Sequence, residues 1–342
     1  MSAYLNTRVS LFSGRLWQAG DFDAVLKVPD AEMADALGER GLPQLAAGFD
    51  SKDQRSLEQR IIAEVLDETK VLIRPLTGAA RQFLIFWTER FEVTNVKTLL
   101  RGKMTGERPA ALINRLTPMG AFGRLDVQDL AHAEDVSELL RRLEAGPYAG
   151  IVRHARRAFE ESHDPFILDA ALDRGYYEGL AHRAQPLEND AGLPFRRLMA
   201  ALIDRINLVW LLRYRFNYNL PPAQVYFLLV ASNYSLPSQR LRELAALGSL
   251  EAILGALPET MFKLLEGAKD IPTVFARMES AAADVASKVL HSGAPAIARA
   301  FAYLLLRERD LRSVRALLRG RQLDLPQADI RLAMYKSLEG NA

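Results

Sequence analysis

Cysteine is absent from this 342-residue sequence. Its absence removes disulfides, thiol catalysis and the common cysteine zinc sites from consideration, and it suits a reducing cytosol. Long apolar runs are missing too. The longest, Val225–Ala231, falls far short of the roughly 18 residues a spanning helix needs. The opening MSAYLNTRVSLFSGRLW has no apolar core of the kind a secretory signal carries. Any membrane contact is therefore expected to run through a partner. Charge of one sign is scarce: 44 Lys and Arg stand against 42 Asp and Glu, a formal balance of +2. The charges are mixed and form no long basic run, so the balance gives nucleic-acid binding no support. Alternating strand patterns of useful length are lacking as well.

Catalytic and ligand motifs are equally scarce. No G-x-x-x-x-G-K-[S/T] is present to cradle ATP; Gly102-Lys103 lacks both the upstream glycine and the following hydroxyl. There is no G-x-S-x-G and no H-E-x-x-H. Glu160-x-x-His163 has the spacing of a di-iron ligand pair, but such a site needs a second copy and two further glutamates on facing helices. The second copy does not exist, and the five histidines (132, 154, 163, 182 and 291) form no cluster. The expectation is a protein with no catalytic residues, no cofactor and no required metal.

What the chain does have is helical periodicity. Leu, Ala, Arg and Glu dominate, all good helix formers. Apolar residues recur at three- and four-residue spacing, as in Leu57, Ile61, Ile62, Val65 and Leu66. Gly and Pro sit mostly between such segments, at Gly146-Pro147, Gly192-Pro194 and Pro221-Pro222. The fold class expected is all-α.

It also has an internal repeat. FLIFWTERFEVTNVKTLLRGK (Phe83–Lys103), FRRLMAALIDRINLVWLLRYR (Phe195–Arg215) and FAYLLLRERDLRSVRALLRGR (Phe301–Arg321) align over 21 residues without a gap. Each starts with Phe. Each then has an acid (Glu92, Asp204, Asp310) and, three residues on, a small polar residue (Asn95, Asn207, Ser313). Each closes on a pair of cations: Arg101 and Lys103, Arg213 and Arg215, Arg319 and Arg321. The stretches VSELLRRLEAGPY (Val136–Tyr148) and LEAILGALPETMF (Leu250–Phe262) echo one another, and VLKVPDAEMADAL (Val25–Leu37) is a fainter third echo. Units of about 110 residues exceed the common helical repeats. They imply three similar helical domains, 1–116, 117–232 and 233–342.

The acid and the polar residue lie on one helix face, as any i, i+3 pair must. In the middle copy they sit among Leu198, Met199, Leu202, Ile203, Ile206, Leu208, Val209 and Trp210. A helix apolar nearly all round is a buried one, so Asp204 and Asn207 are expected to be buried and hydrogen-bonded to a neighbouring helix or its end groups. Fixing how the central helix docks is the structural role this assigns. A catalytic role finds no nearby His, nucleophile or second acid at a suitable spacing. The closing cations have a plain role at a helix C-terminus. The alternative is a ring of positive charge that faces a partner around a threefold axis.

These same residues carry a family resemblance. YLNTRV (Tyr4–Val9) resembles the N-terminal start of the V/A-type ATPase C/d subunits, and FEVTNVKTLLRGK resembles their first-domain helix. DPFILDAALDRGYYEGL (Asp164–Leu180) resembles their second-domain segment. LRERDLRSVRALLRGR resembles their C-terminal helix, with Glu308, Asp310 and Arg315 at matching places; Ser313 departs from it, the family tending to have Asn there. The resemblance implies a pseudo-threefold, funnel-like arrangement of three helical domains. It implies a central-stalk rotor subunit, peripheral on the cytoplasmic side of the membrane. The partners it implies are the proteolipid (c/K-type) membrane ring and the central-stalk subunits D and F. The other readings are an all-helical adaptor for different protein partners and a helical metalloenzyme.

Overall fold

The structure, a computed structural model, describes residues 2–47 and 54–339. Helices make up its regular structure, and no strand occurs among the described residues. The chain opens with α1 (Ser2–Ser13), α2 (Ala19–Leu26), α3 (Met33–Glu39) and α4 (Pro43–Ala46). Two long helices follow, α5 (Gln54–Ile73) and α6 (Gly78–Met104). Shorter ones come next: α7 (Pro109–Arg115), α8 (Val127–Ala131), α9 (Val136–Glu144) and α10 (Ala149–Ser162). The long α11 (Pro165–Leu212) leads into α12 (Pro222–Leu228), α13 (Ser238–Ala245), α14 (Leu250–Gly255) and α15 (Glu259–Leu265). The chain finishes with α16 (Ile271–Leu290), α17 (Ala296–Gln322) and α18 (Gln327–Glu339).

Local sequence explains the breaks between the long segments. Gly78, at φ 56°, turns the chain from α5 into α6, a conformation that costs glycine little because it has no Cβ. Within α11 the helix is interrupted at Gly192, with φ 64° and ψ −152°, between Pro186 and Pro194. A proline removes a helix donor and clashes with the preceding turn, so α11 is in effect two helical segments joined at one glycine. Pro295 caps the start of α17.

The six long segments pack in a circuit. α5 lies against α6 and α17, α6 against the first part of α11, α11 against α16, and α16 against α17. The phenylalanines that open the three repeat copies meet at its centre. Phe83 is 5.2 Å from Phe195 and 4.9 Å from Phe301, and Phe195 is 5.8 Å from Phe301, centroid to centroid. All three are fully buried. Edge-on and tilted ring pairs at this range are favourable beyond their area burial. A second apolar core lies outside the circuit, where Trp17, Phe22, Val25, Leu37 and Leu42 pack on α5, α17 and α18 through Val65, Leu311, Leu317 and Ile330.

Candidate functional site

The repeated acid faces backbone amides in all three copies. Glu92 Oε1 accepts from the N–H groups of Arg124 (2.8 Å) and Leu125 (3.0 Å), and its Oε2 accepts from the Tyr148 hydroxyl at 2.6 Å. Asp204 accepts from Ser235 N (3.1 Å) and Leu236 N (3.0 Å). Asp310 accepts from Trp17 N at 2.8 Å. Leu125, Leu236 and Trp17 each sit just before the N-cap of a short helix, α8, α13 and α2 respectively. A carboxylate placed there also suits the positive end of a helix dipole. Burial raises the carboxyls of Asp204 and Asp310 above the usual aspartate range, that of Asp310 to about 6, and the amides that bond them pull the other way.

The polar residue three positions on grips backbone in two copies. Asn95 donates to Thr117 O and accepts from Thr117 N, both at 2.8 Å. Asn207 does the same with Val230, at 3.0 and 2.9 Å. Ser313 differs: its hydroxyl donates back to Arg309 O, in its own helix, at 3.3 Å. Asp204 and Asn207 are 2% and 0% exposed, so each bond also satisfies a group that would otherwise be buried unpaired.

The closing cations divide into two sets. Lys103 donates to Ala131 O at 2.6 Å and Arg215 to Leu247 O at 3.2 Å, while Arg321 donates to Val25 O and Val28 O. Those carbonyls lie at the C-terminal ends of α8, α13 and α2. Each short helix is thus held between an acid at its N-terminal approach and a cation at its C-terminal end, both from one repeat helix. The end carbonyls lack helical partners of their own, which is why a cation turns inward to them. The other set points elsewhere. Arg101 pairs with Asp169 at 2.8 Å, Arg213 is half-buried, and Arg319 is exposed.

The glycines next to these cations have a reason beyond ending a helix. A Cβ on Gly102 would lie 1.9 Å from Leu112 of α7, and one on Gly320 would lie 2.6 Å from Ile330 of α18. The glycines let α7 and α18 close onto the repeat helices. Glu160 pairs with Arg156, and His163 takes the left-handed C-cap position of α10 at φ 53°, so that spacing serves a helix end. No group of three or more metal-ligating side chains gathers among the described residues, and no described helix is long and apolar enough to cross a membrane.

Sequence reasoning missed a buried polar seam between α5 and α17. Glu68 accepts from the Tyr303 hydroxyl at 2.6 Å and pairs with Arg307 at 3.0 Å. Arg307, 1% exposed, also donates to Arg15 O and Gly41 O. One turn earlier, Glu64 accepts from Gln44 N and Leu45 N, and burial pushes its carboxyl up to about 7. The available signal was Arg307 directly after the apolar run Tyr303–Leu306, since an arginine buried there must be paired.

The molecule thus defined is an all-helical protein in which a thrice-repeated helix holds short helices by their ends. It belongs to the ATP synthase (C/AC39) subunit family, whose model matches residues 5–332. Among similar proteins, the A-type ATP synthase C subunit of Methanothermobacter thermautotrophicus is 25% identical over 259 residues, 75% of this chain and 66% of its own. That of Archaeoglobus fulgidus is 23% identical over 339 residues, 97% of this chain and 95% of its own. The V-type ATP synthase C subunit of Deinococcus radiodurans is 27% identical over 223 residues, 60% and 58% of the two chains. The match therefore spans just under two thirds of the first relative and nearly all of the second.

Proposed function

We propose that the protein is the central-stalk rotor subunit of a V/A-type rotary ATPase or ATP synthase, coupling the membrane proteolipid ring to the shaft formed by subunits D and F. It performs no chemistry of its own in this reading. It sits on the cytoplasmic face of the membrane, held there by protein contacts. Its three helical units, 1–116, 117–232 and 233–342, are arranged about a pseudo-threefold axis as a funnel.

The observation that carries this reading is the meeting of Phe83, Phe195 and Phe301 at one point. Three equivalent residues in mutual contact are what a pseudo-threefold axis through the molecule requires. The acid-and-cation clamp recurs around it with equivalent partners. A body that transmits torque must resist shear between its units, and clamps at both ends of each short helix, a buried acid at one and a half-buried cation at the other, supply that stiffness. Family membership and the names of the relatives add independent support. Arg101, Arg213 and Arg319 are the repeat cations not used on short-helix ends; Arg101 is held by Asp169, and in this reading Arg213 and Arg319 face acidic groups of a partner, contacts that weaken with salt.

The test is capture from detergent-solubilised membranes with the tagged full chain, followed by mass spectrometry. Recovery of ring and shaft proteins together is the expected result. Binding is then compared between membranes that contain the ring and membranes that lack it, with bare liposomes of the same lipids as control. Equal binding to bare liposomes, or capture of unrelated proteins alone, overturns the rotor reading in favour of an adaptor.

A further inference from the structure

A cavity of about 140 Å³ lies beside the phenylalanine centre, lined by α6, α11, α16 and α17. Its charged walls do not balance. Arg90 pairs with Glu308, which also accepts from Trp87 Nε1 at 3.0 Å. Arg205 and Arg312 share one carboxylate, Glu279. Arg309 makes no ion pair among the described residues, and its Nε is buried without a hydrogen-bond partner. Four guanidinium groups thus face two carboxylates. Asp310, next in sequence to Arg309, has its carboxylate on Trp17 N. The side chains of Glu279, Arg205 and Arg312 are 6%, 15% and 28% exposed and Arg309 is half-buried, so bulk water screens this excess only in part.

Arginine cannot relieve such crowding as lysine does, by shedding its proton. Burial holds the Arg205 and Arg312 guanidiniums down at about 10, and the charge of Arg312 adds to the effect on Arg205. Both still remain fully charged at neutral pH. An uncompensated charge in a low-dielectric site is strongly destabilising, and an oxyanion removes the cost through charge-assisted bonds to the guanidinium forks. The cavity is several waters in volume. It admits a small anion or the end of one side chain, and no stretch of backbone.

We propose that this cavity is an anion-binding site that takes a single oxyanion, carboxylate or phosphate, between Arg205, Arg309 and Arg312. The isolated full chain suffices to test it, so the outcome is independent of any rotor partner. Thermal unfolding is followed while inorganic phosphate, or acetate, replaces chloride at constant ionic strength. A saturable rise in Tm is expected, since a ligand that binds only the folded state stabilises it by mass action. A rise with phosphate alone assigns a phosphate site, and a rise with acetate alone assigns a carboxylate site. Arg312→Gln leaves a one-to-one Arg205–Glu279 pair and is expected to abolish the response while folding normally. Arg309→Gln breaks no ion pair among the described residues and is expected to weaken it at least tenfold in half-saturating concentration. Glu279→Gln adds a further unbalanced charge and is expected to move half-saturation to lower anion concentration. Identical melting in phosphate, acetate and chloride overturns the proposal, as does a full response in both arginine variants.

Discussion

The middle and third copies of the repeat share a first residue, an acid and a cation pair, yet the chain completes them from opposite directions. Asp204 meets Ser235 and Leu236, 31 and 32 residues further on. Asp310 meets Trp17, 293 residues earlier. The helix held in the middle copy is α13, from the segment that follows directly; the helix held in the third is α2, from the other end of the chain. The motif therefore repeats a geometry and leaves connectivity free. A repeat helix needs only a short helix that presents free amides at one end and free carbonyls at the other. Closing a contact over a long loop adds entropy cost slowly with length, so the long-range closure is thermodynamically tolerable.

The strongest test of how far the copies are equivalent is at their shared centre. Phe195 and Phe301 are both fully buried and each touches the other two rings. Replacing either with alanine should cost about 3–5 kcal/mol, the usual range for a core phenylalanine. Urea unfolding followed by circular dichroism is the measurement. Similar losses for the two variants sustain the equivalence; a loss under about 1 kcal/mol for either would break it.

Next in size is a pH effect at the buried acids that hold α2 and α4. Glu64, which holds the start of α4, titrates near 7 in the folded protein, well above the 4.5 of a free glutamate. A raised folded pKa contributes stability that is fully present below 4.5 and is lost as pH rises through about 7. Asp310 acts in the same direction at about 6. Stability should therefore fall between about pH 4 and 7, by about 3 kcal/mol through Glu64 alone, and level off above that. Glu64→Gln keeps an acceptor for Gln44 N and Leu45 N and should flatten much of that slope. Hydrogen exchange should place the loosening at α2 to α4. A slope unchanged in the variant would assign the pH dependence elsewhere.

Much of this was legible in the sequence because the copies align without gaps. The all-α class, the three phenylalanines, the acid and the amide all stand at fixed offsets, and the apolar surroundings of Asp204 and Asn207 imply burial. The partners were not legible. An acid on a buried helix must find donors, but nothing in the sequence of α17 says that they arrive with Trp17. The fainter echo at Val25–Leu37 was the only hint, and it lies beside α2, the helix that Asp310 and Arg321 hold. Lys103, Arg215 and Arg321 read equally well as solvated helix ends, because a cation near a C-terminus suits both its own dipole and a neighbour's carbonyls. Glu64 and Glu68 stand four apart, a spacing that suits a solvated helix face as well as a buried one, and only the packing of α17 and α4 over α5 buries them.

The smallest effect separates the copies at their third position. In the first copy α7 ends at Arg115, and Thr117 lies beyond it with amide and carbonyl free for Asn95. In the third copy α18 occupies the place of α7, meeting Gly320 as α7 meets Gly102. It runs on to Glu339, so the backbone past Ile330 that corresponds to Thr117 is still inside a helix, where the ladder engages amides and carbonyls. A serine whose hydroxyl returns to Arg309 O fits that situation, since this carbonyl is already engaged in the helix ladder. Asn207→Leu should orphan the amide and carbonyl of Val230 and cost about 1–3 kcal/mol. Ser313→Ala removes a single hydroxyl and should cost less, about 1 kcal/mol. Urea midpoints of the two variants check the difference. Equal losses would show that Ser313 grips the third copy as firmly as Asn207 grips the middle one, and that the departure from asparagine has a different cause.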